Sequence, residues 1–246
     1  MDATFKARAR TLDMLGRQQI AGIPTAISEL FKNAHDAYAR TVEIDFYRSD
    51  GLFVLRDDGV GMTTEEFVDR WLTIATENRL EEKASGKPSP VAGMNERPVL
   101  GEKGIGRLAI ATIARQVLVL TRPRSQGVPS ELTAAFVNWR LFECTGLNLQ
   151  DIHIPVRSFP GGTLPGREDI DDMVESFRRG HLHLRTAIGE ERWSGSRRIW
   201  PCSRWIPSIS TRIVAVRLWP TKGTARTSSS CPRPIGSWTI SMGIQT

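Results

Sequence analysis

The chain has 246 residues, of which 40% are hydrophobic and 24% charged, and its formal net charge is +6. That is enough for one domain with a substantial core plus an appendage, in the composition range of ordinary globular proteins. No apolar run follows a basic start, no window approaches the roughly 18 apolar residues of a membrane helix, and Cys144, Cys202 and Cys231 show no CxxC spacing; these features speak for a cytoplasmic protein and against a membrane span, a disulfide framework or a zinc site.

Residues 4–20 read as a polar helix carrying Leu12, Leu15 and Ile20, which ends near Gly22. Pro24 suits a helical first turn, and Ile27, Leu30, Phe31 and Ala34 give the helix it starts a core face. "TVEIDFY" (41–47) and "LFVLRDD" (52–58) read as strands joined at Asp50-Gly51, a hairpin. "TTEEFVDRWLTIA" (63–75) has a threonine cap and an acidic first turn, so the spacing predicts a helix. Residues 76–104 lack periodicity and are rich in Gly, Pro, Ser and charge, as expected of a lid or insert. "IGRLAIATIARQV" then predicts a helix, "LVLTR" and "ELTAAFVNWRLFEC" strands, and "EDIDDMVESFRR" (168–179) a further helix. This mixture, with antiparallel hairpins, points to an α+β sandwich with helices on one face of a sheet.

The character changes near residue 185. Residues 192–246 hold nine of the basic residues and no acidic one, which leaves 24 basic against 27 acidic residues in the body. Five of the seven tryptophans also lie there, and only "IVAVRLW" reads as a strand. The expected division is therefore a domain over 1–185, with its lid at 76–104, and an atypical Arg/Ser/Pro/Trp-rich tail over 186–246. Arg clusters with interleaved Trp are suited to nucleic acid, by charge and stacking. The same composition also arises when GC-rich coding DNA is read out of frame, in which case the sheet would be incomplete at its C-terminal end.

Three motifs carry chemistry. Glu29, Asn33 and Asp36 stand at i, i+4 and i+7 of the second helix, which places them on one stripe. "RDDGVGM" ends an apolar strand at Asp57 and runs on through Gly59, Gly61 and Met62. "GEKGIGRLA" sets Lys103, Gly104, Ile105 and Gly106 immediately before a helix. Glycines let backbone approach an anion closely, and the N–H groups at a helix start attract it. A carboxylate at a strand mouth accepts a hydrogen bond from an exocyclic amine such as adenine N6. Asn33 offers a neutral amide oxygen to Mg2+, a hard cation usually shared with substrate phosphates. Glu29, one turn earlier, is placed to take a proton from an attacking water. Asp36 can reach a nucleotide through water or steady the surroundings of Asp57.

Taken in order, ExxxNAxDA, DxGxG and GxKGxG resemble the Bergerat-fold ATPases of the GHKL superfamily, which groups gyrase B, the large heat-shock chaperones, histidine kinases and MutL. The resemblance covers roughly residues 11–120 and extends more weakly to about 180. It implies an ATP site on a mixed, mostly antiparallel sheet. Glu29 would be the water-activating base, Asn33 the magnesium ligand and Asp57 the adenine reader, with Lys103, Gly104 and Gly106 at the phosphates. Members often hydrolyse ATP slowly and form homodimers when the lid closes. Histidine kinases usually lack the glutamate and carry a phospho-accepting histidine upstream, whereas here Glu29 is present and His35 lies within the motif helix. The chain looks more like the chaperone, MutL and MORC side, and most like stand-alone bacterial ATP-binding proteins of that type. "GGT" (161–163) offers Thr163 as the later-strand threonine of such folds, although Leu164-Pro165 follows it. A non-catalytic nucleotide-sensing module remains the alternative to an ATPase. His181 and His183 lack metal-ligand companions in sequence and read as structural.

Overall fold

The computed structural model describes residues 6–47, 52–74, 94–101, 106–124, 130–161, 163–182 and 184, and the strands 214–218 and 237–241. The first helix, α1, is Arg10–Leu15, shorter than expected because the chain leaves helical geometry at Gly16. Helix α2 is Ile23–Asp36, with proline in its first turn and Ala26, Leu30 and Ala34 buried. It ends at Ala37, and Tyr38 takes a positive φ of 60°.

Strands β1 (Thr41–Tyr47) and β2 (Leu52–Asp57) pair antiparallel, Val42 opposite Asp57 and Leu55 opposite Ile44. Alternation then puts Val42, Ile44, Leu55 and Asp57 on one face, and Thr41, Glu43 and Arg56 on the other. The expected helix over 63–75 opens with a complete capping box between Thr63 and Glu66, but only Thr64–Glu66 (α3) is α-helical. Phe67–Trp71 widens into a π turn, with the Phe67 and Trp71 rings stacked at 5.0 Å. A 3-10 turn, Gly106–Ala109, leads into α4 (Ile110–Ile113).

Strands β3 (Gln116–Thr121) and β4 (Leu132–Asn138) form a second antiparallel pair. The strand expected to run on to Cys144 stops at Asn138, whose side chain accepts a hydrogen bond from the Arg140 N–H at 3.1 Å and starts the 3-10 turn Trp139–Glu143. Strand β5 (Val156–Phe159) extends this pair and was not foreseen; it is short and half exposed, without a readable period. Helix α5 (Arg167–Gly180) matches its expected span closely. From the Arg-rich segment come β6 (Val214–Leu218), inside the expected "IVAVRLW", and β7 (Ser237–Ser241).

Among the described residues these make one seven-stranded sheet in the order β5-β4-β3-β6-β2-β1-β7. Strand β6 runs parallel to both β2 and β3 and joins the two antiparallel halves. Leu12, Leu30, Ala34, Leu55, Ile110, Val117 and Val137 bury against one another on the face carrying α1, α2 and α4. The reverse face is covered at its β3-β4-β5 end by α5, through Met173, Val174 and Phe177 against Leu118, Leu120 and Phe136. Phe136 and Phe177 meet edge to face at 5.5 Å. At roughly 1.5–3 kcal/mol for each large side chain removed from water, these two clusters hold the sheet between its layers. Among the described residues no helix is long and apolar enough to cross a membrane.

Candidate functional site

The polar stripe of α2 meets Leu100, Gly101 and Gly106. A Cβ on Gly106 would lie 3.0 Å from Glu29 Oε2 and 3.6 Å from Asn33 Oδ1. A side chain there would crowd the Glu29 carboxylate and come into ordinary contact with Asn33, so glycine keeps the space beside both groups open. The other oxygen of Glu29, Oε1, pairs with Lys32 Nζ at 2.7 Å, an (i, i+3) contact whose partner sequence reasoning missed. Asp36 turns to the protein itself. Its Oδ1 accepts the Leu100 N–H at 2.9 Å and its Oδ2 the Gly101 N–H at 3.0 Å, while His35 Nδ1 approaches at 3.4 Å. With a side chain only 4% exposed, Asp36 ties down the entrance of the glycine segment. Lys103, Gly104 and Ile105 lie outside the described residues.

The second end of the site is the mouth of β2. Asp57 Oδ1 accepts the Gly59 N–H at 2.9 Å. A Cβ on Gly59 would fall 2.8 Å from the Ala37 carbonyl oxygen, so this loop too is packed where only glycine fits. The Val60 N–H donates to that same carbonyl at 2.8 Å, which straps the loop to the end of α2. Gly61 follows at φ 67°, and the Met62 N–H donates to Thr121 Oγ1 at 3.1 Å. Thr121, a buried hydroxyl at the end of an apolar strand, went unnoticed in sequence; its one signal is polarity at a position where the strand pattern is apolar.

Burial pushes the Asp57 pKa up to about 6; the Gly59 hydrogen bond opposes this and the neighbouring Asp58 charge adds to it. Asp58 is itself structural, its Oδ1 accepting the Arg40 N–H at 2.6 Å and the Thr41 N–H at 2.8 Å. Asp57 is thus a desolvated carboxyl on the same sheet face as Val42 and Leu55, with Gly59 its only hydrogen-bond donor among the described residues. A flat ligand edge carrying a donor is what such a group can take. The β6 register sets Leu218 beside Asp57. Thr163 is exposed after β5, separated from β2 by three strands, and is not brought to Asp57.

A cavity of about 190 Å3 borders the same strand end, lined by Thr41, Glu43, Arg56, Asp57 and Asp58. Strand alternation puts Thr41, Glu43 and Arg56 on the reverse face, where Arg56 pairs with Asp45 and Glu43. That cavity therefore lies across the sheet from Glu29 and Asn33 and is distinct from the groove between α2 and the glycine segment.

Residues 22–153 match the family described as histidine kinase-, DNA gyrase B-, and HSP90-like ATPase. The chaperone protein HtpG of Mycobacterium tuberculosis and that of Mycobacterium bovis are each 28% identical to the chain over 137 residues, covering 48% of this chain and 21% of theirs. The chain thus spans about a fifth of the length of these curated relatives. With the family match covering more than half of its residues, this chain belongs to the histidine kinase-, DNA gyrase B- and HSP90-like ATPases.

Proposed function

We propose that the chain binds ATP with Mg2+ between α2 and the glycine segment and hydrolyses it to ADP and phosphate. The observation that carries this is the approach of Gly106 to Glu29 and Asn33 of one helix, with Asp57 buried at the strand mouth beyond the helix end. Asp57 accepts a hydrogen bond from the exocyclic amine of adenine, and Gly59, Gly61 and Met62 shape the loop beside it. Gly106, with Lys103, Gly104 and Ile105 before it in sequence, leaves backbone and positive charge for the phosphates.

The residues fit a magnesium ion. Gly106 leaves room beside a neutral amide oxygen, and among the described residues no cluster of three His, Cys, Asp or Glu side chains offers a closed metal cage. Asn33 would hold the ion together with phosphate oxygens, as is usual for Mg2+. When bound, it supplies neutralisation of developing phosphate charge. Glu29 takes the proton of the attacking water, whose oxygen forms the new bond to the terminal phosphorus as the bond to the ADP oxygen breaks. Asp36 steadies the nucleotide site by holding the Leu100 and Gly101 amides. Closure of residues 76–104 over the nucleotide and pairing of two copies complete the proposal; turnover per chain should then rise with protein concentration.

The ion pair between Glu29 and Lys32 favours a second reading, in which an engaged carboxylate is a poor base and the domain senses nucleotide without turnover. Phosphate release by the native chain and by Glu29→Gln separates the two. An ATPase should lose at least about 100-fold in kcat with ATP binding retained, in line with the usual contribution of a general base. Equal rates would leave only the sensing module.

A further inference from the structure

We infer that Thr121 is a positioning residue for the base end of this site: from the end of β3, its hydroxyl holds the loop from Gly59 to Met62 where Asp57 can take the base. The inference rests on the ATP reading above and adds to it a residue none of the motifs contains.

Strand pairing brings Thr121 level with Asp57. Strand β6 lies parallel between β2 and β3, with Val216 opposite Leu55 on one side and Val119 on the other. Two residues further on, Leu218 stands beside Asp57, and the same step along β3 reaches Thr121. The two residues therefore end their strands at one level, two strand spacings or about 10 Å apart. The pleat also turns them to one face, because Thr121 alternates with Val117 and Val119, and Asp57 with Leu55, whose side chains share the core under α2. Pairing with Thr133 of β4 fixes the Thr121 backbone from its other edge, and the residue is buried. Its hydroxyl is thus held by the sheet itself.

Between Asp57 and Met62 the chain crosses from β2 to β3, and β3 and the residues after it grip the loop at three points. The Met62 N–H donates to Thr121 Oγ1 at 3.1 Å, the Arg124 N–H to the Val60 carbonyl at 2.7 Å, and Arg124 Nη2 to the Asp58 carbonyl at 2.6 Å. The Gly59 N–H that Asp57 accepts lies among these fastenings, so its aim depends on them. Two of the three come from side chains, and of these Thr121 is buried while Arg124 is exposed. A methyl in place of the hydroxyl leaves the Met62 N–H without its acceptor, a loss the loop relieves by moving off β3. That movement draws the Gly59 N–H away from Asp57. None of these bonds involves Glu29, Asn33 or Gly106, so the loss is common to every ligand that carries the base.

The full chain, Thr121→Val, Thr121→Ser and Arg124→Ala are to be compared by calorimetry with adenosine and with Mg·ATP, and by hydrogen exchange at the Met62 amide. Thr121→Val, which keeps the branched shape without the acceptor, should bind adenosine about tenfold more weakly, lose Mg·ATP affinity by the same factor to within about twofold, and exchange the Met62 amide at least about tenfold faster. Thr121→Ser, which restores the oxygen, should recover native affinity to within about twofold. Arg124→Ala removes an exposed side chain and should weaken both ligands by about threefold, less than Thr121→Val because its bond competes with water. Native adenosine affinity in Thr121→Val, a loss confined to Mg·ATP, or a serine variant as weak as the valine one would overturn the assignment. Should Thr121→Val fail to fold, weakened adenosine binding by Thr121→Ser or native affinity in Arg124→Ala does so instead. If the native chain binds neither ligand, the ATP reading fails, and unchanged Met62 exchange in Thr121→Val then sinks the grip by itself.

Discussion

The two ends of the candidate site are held by different means. At the strand end, Asp57 is placed by the register of β1 against β2 and enclosed by a backbone loop packed so closely on Ala37 that Gly59 has no room for a Cβ. At the glycine end, Glu29, Asn33 and Asp36 project from one helix, Asp36 toward the Leu100 and Gly101 amides that it holds and Glu29 and Asn33 toward Gly106. An end set by sheet pairing rests on few side chains besides Asp57 itself and the absence of one at Gly59. The other depends on each member of a short list of side-chain contacts.

The contrast can be broken most severely at Asp57. Asp57→Asn should weaken adenosine, ADP and Mg·ATP alike by roughly 10- to 150-fold, because all three share the base and a lost charge-assisted hydrogen bond is worth roughly 1.5–3 kcal/mol. The same change should stabilise the protein in a pH-dependent way. The folded pKa of about 6 lies above the ordinary value of 3.8, so stability is intact while the acid is neutral in both states and is lost as pH rises through 6. Urea melts should show Asp57→Asn more stable by up to about 3 kcal/mol at pH 8 and no different near pH 3.5. A native chain equally stable at both pH values relative to the variant would contradict a desolvated Asp57.

Gly59→Ala tests the packing of that loop. Its Cβ would meet the Ala37 carbonyl, and a loss of about 2 kcal/mol in thermal or urea unfolding is expected, typical of overpacking. At the glycine end, Asn33→Ala should weaken Mg·ATP by about tenfold and leave adenosine within twofold, a split that calorimetry in the presence and absence of Mg2+ would read. Equal effects on both ligands would erase the distinction between the ends. The smallest effect belongs to Lys32→Ala, whose pair with Glu29 is half exposed; stability in urea melts should change by less than about 1 kcal/mol.

Much of the site-bearing face was legible in the residues. The α2 helix, the β1–β2 hairpin with Asp57 at its mouth, the capping box at Thr63 and the span of α5 follow from local periodicity and caps, which act over one or two turns. The misreadings share a cause. Phe67–Trp71 and Trp139–Glu143 look regular by apolar content, yet packing of Phe67 on Trp71 and the Asn138 side chain against the following backbone decide their geometry. Helix α5 on the reverse face could not be foreseen, because its apolar stripe does not say which side of a sheet it will cover.

By itself, the sequence determined which side chains share a face: Glu29, Asn33 and Asp36 on one helical stripe, Asp57 at the end of an apolar strand, and Gly106 before a helix. Those facts need only the repeat of a helix or strand, which is a property of neighbouring residues. The tertiary structure alone decided what that face meets. Asp36 binds amides 64 and 65 residues away, Arg97 reaches back 58 residues to Ala39, and β6 enters between β2 and β3 from far along the chain. Contacts at such separations leave no periodic trace, and they exist only once burial of the two apolar clusters has closed the chain on itself.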